Sequence, residues 1–123
     1  MDREVKMGKL STHVLDITSG TPAAGVVIQL YAIEPAGRRL LRSVVTNSDG
    51  RCDAPLLAGD ELLVGAYELV FGAGAYFEAQ GVVVPLPRFV DRVTLAFGIA
   101  NPAENYHVPL LVSPWAYSTY RGS

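Results

Sequence analysis

The sequence predicts an all-β fold, a two-sheet sandwich with one short helix. Apolar and β-branched residues recur in short alternating runs, and Gly- and Pro-containing turns separate these runs at close spacing. Only one stretch, Gly74–Gln80, has the composition of a helix. At 123 residues the chain fits one domain of seven to eight strands.

In order, residues 1–10 read as a flexible lead-in and residues 11–123 as the folded domain. Thr12–Thr18 is the first strand, with His13, Leu15 and Ile17 on one face and Val14 and Asp16 on the other. Ser19–Pro22 is turn chemistry, in which Gly supplies positive φ and Pro a fixed φ. Gly25–Glu34 alternates Val26, Ile28 and Leu30 against Val27 and Tyr31. Pro35-Ala36-Gly37 then turns the chain into Arg39–Asn47. Ser48-Asp49-Gly50 is a tight turn that delivers Arg51, and Pro55–Glu61 reads as loop. Leu62–Phe71 is a strand, and Gly81 stands where a helix ending at Gln80 would stop. Phe89–Ile99 alternates again, and two extended segments broken at Ser113-Pro114 close the chain.

Composition narrows the function. The net charge of −2 leaves no basic footprint for nucleic acid. Half the residues are hydrophobic, only 18% are charged and mean hydropathy is +0.25, which points to surface covered by other subunits. A single cysteine excludes an internal disulfide and fits a reducing compartment. There is no apolar run of membrane-spanning length, no secretory pattern over Met1–Lys9 and no Ser-Lys-Leu ending, so a cytoplasmic protein is expected. Nucleophile-elbow, phosphate-loop and His-Glu-x-x-His patterns are missing, and two histidines with one cysteine make a metal site improbable. Cys52 reads as a small hydrophobe, not a nucleophile, because no histidine is near it in sequence.

The C-terminal run is the least ordinary part. Chain ends are usually loose and polar, yet Tyr106–Ser123 is apolar and aromatic. His107-Val108-Pro109-Leu110-Leu111, Ser113-Pro114 and the terminal Tyr120-Arg121-Gly122-Ser123 resemble a signature of the 5-hydroxyisourate hydrolases, the transthyretin-related enzymes of urate breakdown. The second signature of that family stands here as His13-Val14-Leu15-Asp16. Asn47–Cys52 and Tyr67–Phe71 also match, so the resemblance runs from His13 to Ser123. It implies a transthyretin-like sandwich, with five strands, the helix and three further strands. It also implies a homotetramer, a dimer of dimers with sites at the subunit interface.

Taken singly, His13 and His107 could each be a core histidine satisfied by backbone. Taken together with Arg51 and a terminal serine, they suit hydrolysis of a lactam ring without a cofactor. Water must lose a proton to a group titrating near neutrality, an oxyanion needs a fixed donor, and the departing nitrogen needs a proton. The resemblance carries His13, Arg51, His107 and Ser123 over as catalytic residues. His107 is assigned to activate water, Arg51 to hold substrate oxygens and the oxyanion, and His13 to orient water or donate a proton. Ser123 adds its hydroxyl and carboxylate. On these grounds either histidine can serve as the base. Substrate contacts are expected from Ser118, Tyr120, Arg121 and Gly122, with Leu15 and Pro109 on the strand faces of the histidines.

One departure from the family pattern is Asn105, where many members have a histidine. The competing reading is a transthyretin-like carrier of a small ligand. Against it, the resemblance places His13 and Arg51 where the carriers have lysine and glutamate, and His107 where they have a small polar residue. A third reading, a non-catalytic interaction module, gives no reason for both histidines and Arg51 to match an enzyme family.

Overall fold

A computed structural model describes residues 7–123. Its strands are β1 (Lys9–Ser11), β2 (Val14–Asp16), β3 (Thr21–Pro22), β4 (Val27–Glu34), β5 (Gly37–Val45), β6 (Leu57–Ala58), β7 (Gly65–Gly72), β8 (Arg92–Ile99), β9 (Tyr106–His107), β10 (Leu110–Val112) and β11 (Tyr117–Thr119). Helix α1 (Ala73–Ala79) follows β7 directly, and a single 3₁₀ turn covers Gly59–Glu61.

One layer is the antiparallel sheet β5-β4-β7-β8. The alternation read from the sequence holds here. Ile28 and Leu30 of β4 and Val93, Leu95 and Ile99 of β8 are buried, while Val27, Arg92, Thr94 and Ala96 between them are exposed. The facing layer comprises β6-β1-β9 and β11-β10-β2-β3. These two sheets are continuous through one parallel ladder, because Leu10↔Tyr106 and Ser11↔His107 share their offset with Val14↔Leu110 and Asp16↔Val112. Backbone bonds from Val108 N to Ser11 O (2.9 Å) and Leu110 N to His13 O (2.8 Å) span the gap. One contiguous buried cluster draws on both layers, including Leu10, Val14 and Leu110 from one and Ile28, Leu69 and Phe71 from the other. Each such side chain contributes roughly 1.5–3 kcal/mol by leaving water.

There are eleven strands among the described residues instead of seven or eight, since β1 forms ahead of the expected first strand, the Tyr106–Val112 segment is interrupted, and the short strands β3 and β6 form where a turn and a loop were expected. Pro55–Glu61, expected as loop, contains β6, which pairs with β1 through Leu10↔Leu57. The expected lead-in over residues 1–10 lies outside the described residues as far as residue 6. From Gly8 onward the chain is held in place instead. Gly8 N donates to Pro102 O at 3.0 Å, a Cβ at Gly8 would fall 1.8 Å from Glu104 O, and Leu10 is fully buried in β1.

Candidate active site

The site is a stripe across four adjoining backbone segments. Ser11 and His13 alternate outward on the β1–β2 strand, while Thr12 and Val14 between them are buried. The parallel ladder sets Ser11 beside His107. On the far side His13 bridges Arg51, and His107 bridges Gly122. Four stretches distant in sequence therefore present Arg51, His13, His107 and the C-terminal residues in a row.

Arg51 owes its place to a turn built on Asn47. The Asn47 Oδ1 accepts from Asp49 N (2.9 Å) and Arg51 N (3.2 Å), and Asn47 N donates to Arg51 O (2.8 Å). Gly50 sits at φ 72° with its carbonyl accepting from Val14 N. A Cβ there would lie 2.5 Å from Val14 O, so only glycine lets the turn press against β2.

Electrostatically the three basic groups act on one another. His107 is held below its ordinary pKa, first by burial, then by the Arg51 guanidinium, then by His13. His13 is lowered by burial and by Arg51, partly offset by a hydrogen bond to the Asp49 backbone and by the Asp49 charge. Both shifts favour the neutral imidazole, the form able to accept a proton. The Cys52 thiol is pushed up by burial and by Asp53, which keeps it protonated and argues against a nucleophilic thiolate.

The remaining candidates occupy different situations. Leu15 is half-buried beside Leu111, which in turn faces exposed Ser118 on β11. Tyr120 is 61% exposed at the rim. Gly122 exchanges two backbone bonds with His107 (2.7 and 3.2 Å), and a Cβ on it would meet the His107 ring at 3.3 Å. Ser123 is exposed and lines a hollow of about 450 Å³ with Asn105 and Arg121. Pro109 is buried, and its carbonyl accepts from Thr119 Oγ1 at 2.6 Å. The Arg121 guanidinium lies 4.3 Å over the Tyr106 ring and donates to Asn105 O and Glu104. Pro109 and Arg121 thus fasten the C-terminal segment. Asn105 has a structural task too, accepting from Lys9 N at 3.2 Å.

Two residues were missed from sequence. Ser11 lies 2.9 Å from His107 Nδ1 through its hydroxyl, and its only signal was a place two residues before His13 on the same strand face. Asp16 is buried and accepts from Tyr76 Oη (2.9 Å), Thr18 N and Ser19 N, so the acid of the His-Val-Leu-Asp motif ties α1 to β2. A hollow of about 210 Å³ opens beside the site between Lys9, Ser11, Arg51 and Asp53. A larger one of about 380 Å³, walled by Ile33, Leu41, Leu63 and Val64, contains none of the candidate residues.

Fold and site together define a transthyretin-like sandwich with a two-histidine, one-arginine site on an open sheet face. The HIUase/Transthyretin family model matches residues 10–122, and the chain belongs to that family. It is 52% identical over 121 residues to the 5-hydroxyisourate hydrolase of Pseudomonas aeruginosa, covering 98% of this chain and 96% of that one. The crystal structure of Klebsiella pneumoniae 5-hydroxyisourate hydrolase is 38% identical, with a TM-score of 0.79 over 95% of this chain and all of that one. A crystal structure of (S)-allantoin synthase is 45% identical and superposes with a TM-score of 0.92 over the whole chain. This chain spans 46% of that larger protein.

Proposed function

We propose that this protein hydrolyses 5-hydroxyisourate, opening its lactam ring to give 2-oxo-4-hydroxy-4-carboxy-5-ureidoimidazoline in urate catabolism. The observation that carries this reading is that His13, paired with Arg51, and His107, on the adjoining strand, share one face of the sheet, where burial and the guanidinium favour the neutral imidazoles. His107 takes a proton from water as the water oxygen adds to the ring carbonyl. Arg51 stabilises the tetrahedral oxyanion. Collapse breaks the C–N bond, and the proton held by His107 passes to the departing nitrogen, so one water is consumed and His107 is restored. The lowered pKa of His13, held down by burial and Arg51, favours its neutral form, which suits orienting the water better than supplying the proton. The Ser123 hydroxyl and the rim residues Ser118 and Tyr120 complete the substrate's surroundings.

The proposed assembly is a homotetramer, a dimer of dimers, in which neighbouring chains close the exposed rim. No helix among the described residues is long and apolar enough to cross a membrane, and a cytoplasmic location accords with the single cysteine. The test uses 5-hydroxyisourate made freshly from urate and urate oxidase, with its decay followed by ultraviolet absorbance and the product by circular dichroism. Decay faster than the spontaneous rate, giving an optically active product, supports the hydrolase. Decay at the spontaneous rate by a folded sample removes it and favours a carrier.

A further inference from the structure

Ser11 lies outside every motif that pointed to the site, yet its hydroxyl makes the hydrogen bond to a ring nitrogen of the proposed base. The contact is fixed by backbone register. Ser11 and His107 are paired across the parallel ladder, Val108 N donates to Ser11 O at 2.9 Å, and Gly122 clasps the other edge of His107. Ser11 Oγ has no other partner among the described residues, so its bonding capacity is available to the imidazole.

Resting on the reading of His107 as base, we propose that Ser11 is a positioning residue that sets the His107 tautomer. Nδ1–H donates to Ser11 Oγ, and the Nε2 lone pair faces the site. The protonation cycle supplies the reason. If Ser11 donated instead, Nε2 would carry the hydrogen and the one basic nitrogen would be the nitrogen that Ser11 covers. With Nδ1–H donating, the bond to Ser11 persists unchanged when Nε2 takes the water proton. The serine thus acts like the carboxylate that orients a catalytic imidazole in a triad, but without a charge. A neutral partner suits this site, because a carboxylate there would raise a pKa that burial, Arg51 and His13 hold down.

The decisive measurement is the ¹⁵N ring spectrum of His107 in the intact wild-type protein at pH 8, assigned with His13→Asn. The expected result is the Nδ1–H tautomer, the reverse of the form a free histidine side chain prefers. In Ser11→Ala the spectrum should move toward Nε2–H, with kcat for 5-hydroxyisourate falling about ten- to a hundred-fold, by analogy with the loss of an outer partner of a metal-binding histidine. Ser11→Thr, which keeps the hydroxyl, should restore both. An Nε2–H signal in the wild type, or an unchanged tautomer and kcat in a folded Ser11→Ala, overturns the proposal. The tautomer is read without substrate, so a failure of the proposed activity would appear separately, as wild-type decay at the spontaneous rate.

Discussion

Arg51 carries two tasks that a substitution can separate. In the proposed mechanism it holds the oxyanion, and its charge also lowers the pKa of both histidines, second only to burial. In the proposed mechanism the neutral imidazoles are the working forms, so the rate should rise with pH through their depressed pKa values and level off above them. Removing the charge lets both pKa values climb, so the acidic limb of kcat/KM for Arg51→Gln should move to higher pH. Its plateau should fall about a hundred- to a thousand-fold, as for loss of one oxyanion donor. Arg51→Lys should keep the limb in place while losing much of the plateau. A pH profile of Arg51→Gln that merely scales down would refute the electrostatic half of this account. Gly50 offers a second test at the same scale. With φ at 72° and Val14 O 2.5 Å from the missing Cβ, Gly50→Ala should cost about 1–3 kcal/mol in urea denaturation. A neutral substitution would mean that the turn does not press on β2.

At the scale of elements, the C-terminal segment is held by more than its own hydrogen bonds. Thr119 Oγ1 binds Pro109 O, Arg121 stacks on Tyr106, and Gly122 pairs with His107, so the last residues are fixed against the same strand that carries the base. Gly122→Ala would add a Cβ 3.1 Å from His107 Cβ and 3.3 Å from Cδ2. The expected result is a protein with unaltered circular dichroism and kcat reduced about tenfold or more, because a small displacement of a positioned group is enough to slow chemistry. Full activity would show that the ring has room to move.

Long strands such as β4 and β8 were legible in sequence because each buries one face, and the burial imprints a period on the residues. The parallel pairing of β1–β2 with β9–β10 was not. Periodicity reports which face is buried and carries no information about which strand lies alongside, here 96 residues away. For the same reason His13, Arg51 and His107 could be picked out by their chemistry, whereas Ser11 could not. Its role exists only through that register. Asp16, whose task the sequence likewise did not show, accepts from Tyr76, whose hydroxyl burial and Asp16 together push up to about 12, and from two backbone amides.

At the scale of the whole molecule, a single chain leaves an apolar surface that a 13.2 kDa protein has little reason to expose. Ile17, Trp115, Tyr117 and Tyr120 are each about half exposed or more, and β11 carries Tyr117 along the free edge of its sheet. An exposed strand edge with aromatic side chains is a ready template for another chain. Burying one tyrosine of this kind is worth roughly 2–3 kcal/mol per copy, so an assembly gains several times that from symmetry. Sedimentation should therefore give a particle about four times the mass of one chain. Tyr117→Asp, which places a charge on that edge, should yield a smaller one. Because Ser118 and Tyr120 stand on the same exposed segment, the smaller particle should also lose activity even though His13, Arg51 and His107 keep their places. Restoring activity by raising the concentration of Tyr117→Asp would link assembly to the site directly. A Tyr117→Asp monomer with wild-type kcat and KM would show that one chain suffices and that the greasy edge serves another purpose.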